Sequence, residues 1–241
     1  MSFSPRRRLH VISFALGIAL VLAVTPVVAQ ASVKNPTAKS VLKAAQKAMS
    51  LESGVHIFVT STQGTSKSVV VVDIGATYGE ETINSGKNTV RIIVTPTDAY
   101  LSGSPTGLTL IMRLTAAEQK KVGTHSVLMK AGTSPYTSFH SNLTTSVLTG
   151  ILPPAKGTKF KVGGGEHSKD YQLTWKTSAS STTSATTSVL TVSSGSKTLP
   201  LNEVITGTSG GGTTKFSKWG EQVVEHAPAS ANTIPYAKVF G

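Results

Sequence analysis

The stretch at residues 55–75, VHIFVTSTQGTSKSVVVVDIG, decides the fold of this chain. It holds two runs rich in β-branched and aromatic residues, 55–63 and 66–75, which a short turn joins at Gly64. This pattern predicts a β-hairpin. Further strand-like runs follow at residues 76–84, 88–96 and 98–103. Because connections of hairpin length can join only antiparallel strands, we expect a meander in which each strand pairs with the one before it.

A helix is predicted ahead of this hairpin. Asn35 is a suitable cap, Pro36 suits the first helical position, and Gly54 is expected to end the helix. Apolar residues recur at helical spacing on one face, and lysines recur on the opposite face. The apolar face is formed by Val41, Leu42, Ala45 and Met49, and the polar face by Lys39, Lys43 and Lys47.

The middle of the chain interrupts the strand pattern. Thr115 with Glu118 three residues later is a capping-box pattern, which predicts a short helix over about residues 116–121. A strand is expected at residues 125–132. A second short helix is expected at residues 145–152, stopped by Pro153 and Pro154.

Strand-like runs return in the last third of the chain. They lie at residues 157–165, 169–177, 188–195, 199–209 and 213–219. The segment at 215–228, KFSKWGEQVVEHAP, is interpreted as the last strand of the sheet, closed by a turn, and the polar loop at 178–187 as a hairpin tip. The prediction is one α+β domain: a curved antiparallel sheet with the N-terminal helix packed into it. Strands that are apolar on both faces need cover on both sides, or a curved sheet with an apolar concave side.

Residues 1–31 have the features of a secretory signal peptide. Three arginines precede an apolar run, and small residues before Ser32 suit cleavage after Ala31. The apolar run is short for a membrane-spanning helix, although an uncleaved anchor remains the alternative. We expect an exported protein, extracellular or in the cell envelope. The chain has no cysteine, and therefore no lipobox cysteine for a lipid anchor.

The chain is basic, with a net charge of +12, and removal of the three leader arginines would leave +9. Nucleic-acid binding calls for clustered arginine and stacking aromatics, but only 6% of the residues are aromatic. An anionic membrane surface is the expected partner of an exported basic protein, and we expect a monomer with no nucleic-acid partner.

No catalytic motif is convincing. Residues 207–211, GTSGG, match a nucleophile-elbow pattern around Ser209, but a strand rather than a helix is predicted to follow, which favours a hairpin turn. The histidines lack the spacing of a zinc helix. The 11 carboxylates are expected mostly at strand ends and turns, with no general acid and base among them. We expect a protein that is not an enzyme and holds no metal or cofactor.

Five segments resemble a known family. They are AYLSG at 99–103, LTAAEQKKVGTHSVLMKAGTSPY at 114–136, LTTSVLTGILPP at 143–154, SSGSKTLPLNEVITG at 193–207 and TKFSKWGEQVVEHAPASANTIPY at 214–236. Together they are similar to the LolA-like half-barrels, and more closely to the secreted proteins of actinobacterial type grouped with the LppX and LprG lipoproteins. The chain departs from that pattern in lacking the lipobox cysteine and in having Thr124 and His125 where a tryptophan is common.

The resemblance implies an open half-barrel whose concave side is covered by the N-terminal helix and two short helices of a mid-chain insertion. It also implies that this cavity holds an acyl-chain lipid or glycolipid, as it does in members that carry lipid across the envelope. The alternative is a structural or interaction domain filled by its own side chains. The candidate ligand-binding residues are Val69, Val71, Ile92 and Val94 in the wall and Leu110, Met112 and Leu114 in a lid; Val70, Val72 and Ile93 form the other alternation.

Overall fold

One sheet of twelve strands organises the chain. The computed structural model describes residues 36–163, 169–179 and 184–241, except for the side chain of Thr149. The strands are β1 (Gly54–Gln63), β2 (Ser66–Gly75), β3 (Gly79–Ser85), β4 (Asn88–Val94), β5 (Asp98–Gly103), β6 (Ser126–Lys130), β7 (Lys159–Val162), β8 (Tyr171–Thr177), β9 (Thr186–Val192), β10 (Pro200–Gly207), β11 (Gly210–Ser217) and β12 (Thr233–Pro235). Their order across the sheet is β12-β6-β5-β4-β3-β2-β1-β11-β10-β9-β8-β7.

The sheet consists of two meanders joined in the middle. Strands β1 to β6 form one, strands β7 to β11 form the other, and β1 pairs antiparallel with β11, where Ile57 lies opposite Phe216. The sheet is open because β7 and β12 are its two edges. The predicted α+β class with a curved antiparallel sheet is confirmed, apart from the short β12, which pairs parallel with β6.

The interpretation of residues 215–228 as the last strand is wrong. Lys215 to Ser217 complete β11, which lies inside the sheet between β1 and β10. The chain then leaves the sheet and forms its last strand, β12, only at Thr233.

The N-terminal helix is shorter than the sequence predicted. Asn35 lies outside the described residues, and Thr37 is the cap, in a capping box with Ser40. The helix ends at Met49 rather than at Gly54, which begins β1. Helix α1 (Ala38–Met49) buries the apolar face that the sequence predicted, formed by Val41, Leu42, Ala45 and Met49.

The mid-chain insertion contains more helix than the sequence predicted. The predicted capping box of Thr115 and Glu118 is present, and it begins α3 (Ala116–Val122). The segment at 145–152 forms a 3-10 helix rather than an α-helix. Three α-helices were not predicted: one before α3, one after β6 and one at the C-terminus. The helices are α2 (Pro105–Met112), α3 (Ala116–Val122), α4 (Ser134–Asn142), the 3-10 helix Thr145–Ile151 and, at the C-terminus, α5 (Tyr236–Phe240).

Two segments cross the sheet, one on each face. The chain from β6 to β7 carries α4 and the 3-10 helix and crosses the face that we call the inner face. There the backbone of Leu143 lies so close to Gly79 that a Cβ at Gly79 would come 2.1 Å from the Leu143 carbonyl oxygen. Residues 218–232, which we call the strap, cross the opposite, outer face. A Cβ at Gly54 would come 2.4 Å from the carbonyl oxygen of Glu221 in the strap.

The apolar core is divided into two clusters. The first is built on α1, β1, the 3-10 helix and the strands β8, β9 and β11, with Met49, Leu148 and Leu190 among its members. The second is built on β4, β5 and β6 with the helices α2, α4 and α5. Among the described residues, no helix is long and apolar enough to span a membrane.

Candidate ligand-binding face

The two core clusters leave a half-covered strip of the inner face between them. Val72 of β2 is only partly buried, and it packs against both clusters. The register places Val72 opposite Glu81, and Val70 opposite both Val59 and Ile83. We call these five residues, Val59, Val70, Val72, Glu81 and Ile83, the inner strip. All of them except Val70 are half-buried, whereas their inner-face neighbours on β4 are fully buried. The strip is therefore a part of the inner face where the core is incomplete.

The inner strip is closed at one end and polar at the other. At the closed end, Leu143 covers Gly79, which lies next to Glu81 along the inner face of β3. At the other end the same face carries Ser61, Ser68 and Ser85, and the Ser68 hydroxyl donates a hydrogen bond of 3.3 Å to the Ser85 hydroxyl. The strip thus has the polarity that suits an amphiphilic molecule, with an apolar middle and a polar, half-exposed end.

Two carboxylates lie on the inner face, where the sequence predicted apolar residues. Glu81 lies on β3, and burial raises its pKa. Glu203 lies on β10 opposite Thr214 and Leu190. Burial raises the pKa of Glu203, and this effect is larger than that of a hydrogen bond from Ser188, which lowers it. Both therefore favour the neutral form more than an exposed carboxyl does. The expectation that carboxylates lie mostly at strand ends and turns fails for these two.

The structure does not bring the four predicted wall residues onto one face. Ile92 and Val94 are buried on the inner face, in the second cluster. Val69 and Val71 lie on the outer face, because Val71 is opposite Thr82, which in turn is opposite Arg91. The residues that share a face with Ile92 are instead Val70 and Val72. The sequence runs are apolar on both faces, and only the strand register resolves this choice.

The three predicted lid residues are also separated. Met112 is 6% exposed and Leu114 is 6% exposed, and both belong to the second cluster. Leu110 is 52% exposed on helix α2. Two of the three lid residues are thus core residues in this structure, and only Leu110 is available at the surface.

A second polar cluster, on the outer face, joins the strap to the sheet. Arg91 donates two hydrogen bonds of 2.6 Å to the carboxylate of Glu80, and these lower the Glu80 pKa. Glu225 of the strap lies beside Glu80, and burial together with that neighbour raises the Glu225 pKa to about 7. Next to them, His56 and Asp73 are 2.7 Å apart. A depression of about 180 Å³ lies here between the strap and strands β1 and β2.

The residues weighed for catalysis lie in unrelated places. Ser209 lies in the tight turn between β10 and β11, where Gly207 is paired with Gly210, so the predicted hairpin turn is confirmed. The ring of His125 contacts the carbonyl oxygen of Val122 at 3.1 Å, and His167 falls outside the described residues. Within the described ranges there is no group of three or more His, Asp or Glu residues arranged to hold a metal ion.

Comparisons with known proteins give structural likeness only. No family model matches the chain, and no curated protein matches it. Among solved structures, the chain is similar to the lipoprotein LppX of Mycobacterium tuberculosis, with 16% identity, a TM-score of 0.48 and coverage of 79% of this chain and 99% of that one. LprF of Mycobacterium bovis is 14% identical, with a TM-score of 0.44 and coverage of 80% of this chain and 97% of that one. A conserved protein of Thermus thermophilus is 11% identical, with a TM-score of 0.42 and coverage of 82% of this chain and 98% of that one. At these scores the likeness carries no argument about function, and the fold class rests on the strand order.

Proposed function

We propose that this protein binds a lipid or another apolar ligand along the inner strip and serves as a lipid carrier of the cell envelope. One observation carries the proposal: two separate cores flank the inner strip, whose members are mostly apolar and half-buried, and Val72 packs against both cores. In an ordinary core, the side chains of a covered sheet face are close-packed, with few voids. A ligand chain lying on Val59, Val72 and Ile83 would complete the burial that the protein leaves unfinished.

The ends of the strip support an amphiphile rather than a plain hydrocarbon. The apolar chain would point toward Leu143 and Gly79, and the polar group would lie at the serine end, near Ser68 and Ser85. Glu81 is compatible with such a ligand because burial raises its pKa, and a neutral carboxyl costs less beside a hydrocarbon chain than a charged one.

The test compares two neighbouring positions on opposite faces. Val72→Trp places an indole on the inner strip, and Val71→Trp places the same group on the outer face. We expect the unmodified protein to bind a fluorescent fatty acid, V72W to weaken binding at least tenfold, and V71W to bind as the unmodified protein does. The proposal fails if the unmodified protein binds no fatty acid, or if both variants bind equally well. Native mass spectrometry of protein taken from its own cells would identify a co-purified lipid.

A second candidate function is a structural or interaction domain of the envelope that binds no lipid. Its support is the second cluster, in which Met112 and Leu114, two residues proposed for a lid, are packed as core. In this case V72W should destabilise the fold by overpacking, by about 1–3 kcal/mol, and no lipid should co-purify. Under both functions we propose that the protein is not an enzyme.

The location and partners are proposed from the sequence. We propose that residues 1–31 direct export and are removed, that residues 32–241 form one domain, and that the protein is a monomer beside an anionic membrane surface, held there by charge. N-terminal sequencing of the exported protein should begin at Ser32, and a start at Met1 would indicate a retained anchor. Washing cells with roughly molar salt, which shortens the Debye length to about 3 Å, should release a protein held by charge alone.

A further inference from the structure

One half of the outer sheet face carries lysines without acidic partners. Five exposed lysines lie on it, and none of them belongs to an ion pair within the part of the chain that the structure describes. We call this surface the basic face. It consists of the outer side of β7 to β11 and of the β1–β2 hairpin, with Lys67, Lys159, Lys161, Lys176 and Lys215.

The acidic residues of the described strands lie elsewhere. Strands β7 to β11 contain a single carboxylate, Glu203, and the register places it on the inner face opposite Leu190. On the outer face, Asp73 lies at the end of β2 away from the β1–β2 hairpin turn, where it contacts His56. Glu80 lies on β3, in the other half of the sheet, where it contacts Arg91. Among the strand residues that the structure describes, no carboxylate therefore lies beside the lysines of the basic face.

Exposed apolar side chains lie among these lysines. Phe58 is 36% exposed and lies opposite Lys215, and Val204 is 39% exposed on β10. Half-buried Val69 and Val71 continue the apolar surface on β2. Lysines on an edge strand such as β7 also discourage edge-to-edge pairing, but Lys176 and Lys215 lie on interior strands, where that purpose does not apply.

We propose that the basic face docks this protein on an anionic lipid bilayer, with the lysines at the headgroups and Phe58 and Val204 at the interface. The inference rests on the membrane partner proposed above, and it names the surface that makes the contact. A broad sheet face with dispersed lysines matches a planar array of negative headgroups. Nucleic acid is a poorer match, because the face has no arginine and Phe58 is its one aromatic side chain on the described strands.

The first experiment measures sedimentation with phospholipid vesicles at low ionic strength. Unmodified protein should bind vesicles that contain phosphatidylglycerol and should not bind pure phosphatidylcholine. The triple variant K159Q/K161Q/K215Q should bind on the order of a hundredfold more weakly, since each lysine near an anionic surface contributes on the order of fivefold. The matched control K39Q/K43Q/K120Q removes the same charge from exposed positions on helices α1 and α3 and should keep most of the binding.

Three outcomes would overturn the proposal. The first is an equal loss of binding in the two triple variants, which would make net charge and not this face responsible. The second is binding to pure phosphatidylcholine as tight as to the anionic vesicles, which would exclude recognition by charge. The third is binding of a double-stranded DNA fragment as tight as that of the vesicles, with the same dependence on Lys159, Lys161 and Lys215, which would make the face a general polyanion site.

A second variant reports contact directly. The fluorescence of F58W, after subtraction of the unmodified protein's signal, should shift to shorter wavelength when anionic vesicles are added, and no shift would contradict insertion. Fatty-acid binding by the lysine triple variant separates the two proposals. It should be unchanged if the ligand lies on the inner strip, so a failure of vesicle docking leaves the carrier function standing, and a failure of fatty-acid binding leaves the docking face standing.

Discussion

The carboxyl group of Glu225 in the strap lies against that of Glu80 on β3. Two carboxylates this close cannot both be charged without repulsion, so a proton stays bound to one of them up to a higher pH. Burial contributes most to raising the Glu225 pKa, to about 7 from an ordinary 4.5, and the contact with Glu80 adds to it. Arg91 holds the Glu80 pKa below its ordinary value, which leaves Glu225 as the partner that carries the proton.

This pair should make stability depend on pH. Between pH 4.5 and 7 the folded protein holds the Glu225 proton while the unfolded chain has lost it, so the Glu225 contribution to stability falls as pH rises and is constant above about 7.

The variant E225Q keeps a donor toward Glu80 and carries no charge. We expect E225Q to resist urea better than the unmodified protein at pH 8, with little difference at pH 5. The control E221Q, in the same strap, should not change the pH dependence. Parallel pH profiles for the unmodified protein and E225Q would contradict this assignment.

Gly54 should tolerate no side chain, because the strap lies directly on it. A Cβ there would be 2.4 Å from the carbonyl oxygen of Glu221 and 2.9 Å from that of Ile74. Since both are backbone atoms, Gly54→Ala should lower the free energy of unfolding by about 1–3 kcal/mol. Gly195→Ala is the control, since no atom lies within 4 Å of a Cβ at that position. Urea denaturation measures both, and equal stability of the two variants would show that the strap does not pack as described.

Trp219 should contribute through its indole nitrogen as well as its ring. The Nε1–H group donates a hydrogen bond of 2.9 Å to the Pro200 carbonyl oxygen, and the ring stacks on Phe216 with centroids 6.2 Å apart. Trp219→Phe keeps an aromatic ring and removes the donor, so it should cost about 0.5–1.5 kcal/mol. Trp175→Phe, the same substitution in a half-buried residue of β8, controls for the change of ring size. A cost at Trp219 no larger than at Trp175 would assign no role to the hydrogen bond.

Met112→Trp tests whether the second cluster is already filled. Met112 is 6% exposed, and overpacking at such a position costs about 1–3 kcal/mol. Leu110→Trp, on the same helix at a position that is 52% exposed, should change stability little. The two values come from one urea titration each. A stable M112W would mean that space exists beside Met112, and would return that residue to the list of candidate ligand contacts.

The strands could be predicted from the sequence because the signals for them are local. Gly64 and the runs of β-branched and aromatic residues on either side of it predicted β1 and β2, and the capping box at Thr115 predicted the start of α3. The strand β12 could not be found this way. It is three residues long and exists because β6 offers it an edge, which is a tertiary condition.

The helices α2 and α4 were missed for different reasons. Helix α2 has a cap at Ser104 and proline at its start, but its run of Leu, Ile and Met suggested only an apolar lead-in to α3. Helix α4 is rich in Ser and Thr, which are weak helix formers, and its position is stabilised by contacts such as the hydrogen bond from the Tyr136 hydroxyl to the Pro96 carbonyl oxygen.

The candidate site was predicted only in part, because it depends on register. The sequence identified β2 and β4 as apolar on both sides, but not that Val72 and Ile92 share the inner face while Val71 lies outside. The sequence also gave no indication that Glu81 would lie on the apolar inner face, because the position of a single acidic residue within a strand does not show which face of the sheet it occupies.

The junction of β1 and β11 makes folding speed depend on residues that are far apart in the chain. Within each meander the paired strands are neighbours in sequence, and hairpins of this kind form in roughly 1–10 μs. The pairing of β1 with β11, where Ile57 lies opposite Phe216, forms only after these two distant parts of the chain meet. Closing the long loop between them costs conformational entropy before the contacts contribute any stability. We expect refolding on the millisecond-to-second scale of sheets with high contact order. Ile57→Val should therefore slow refolding, measured by stopped-flow fluorescence, more than Ile83→Val within the β3–β4 hairpin does.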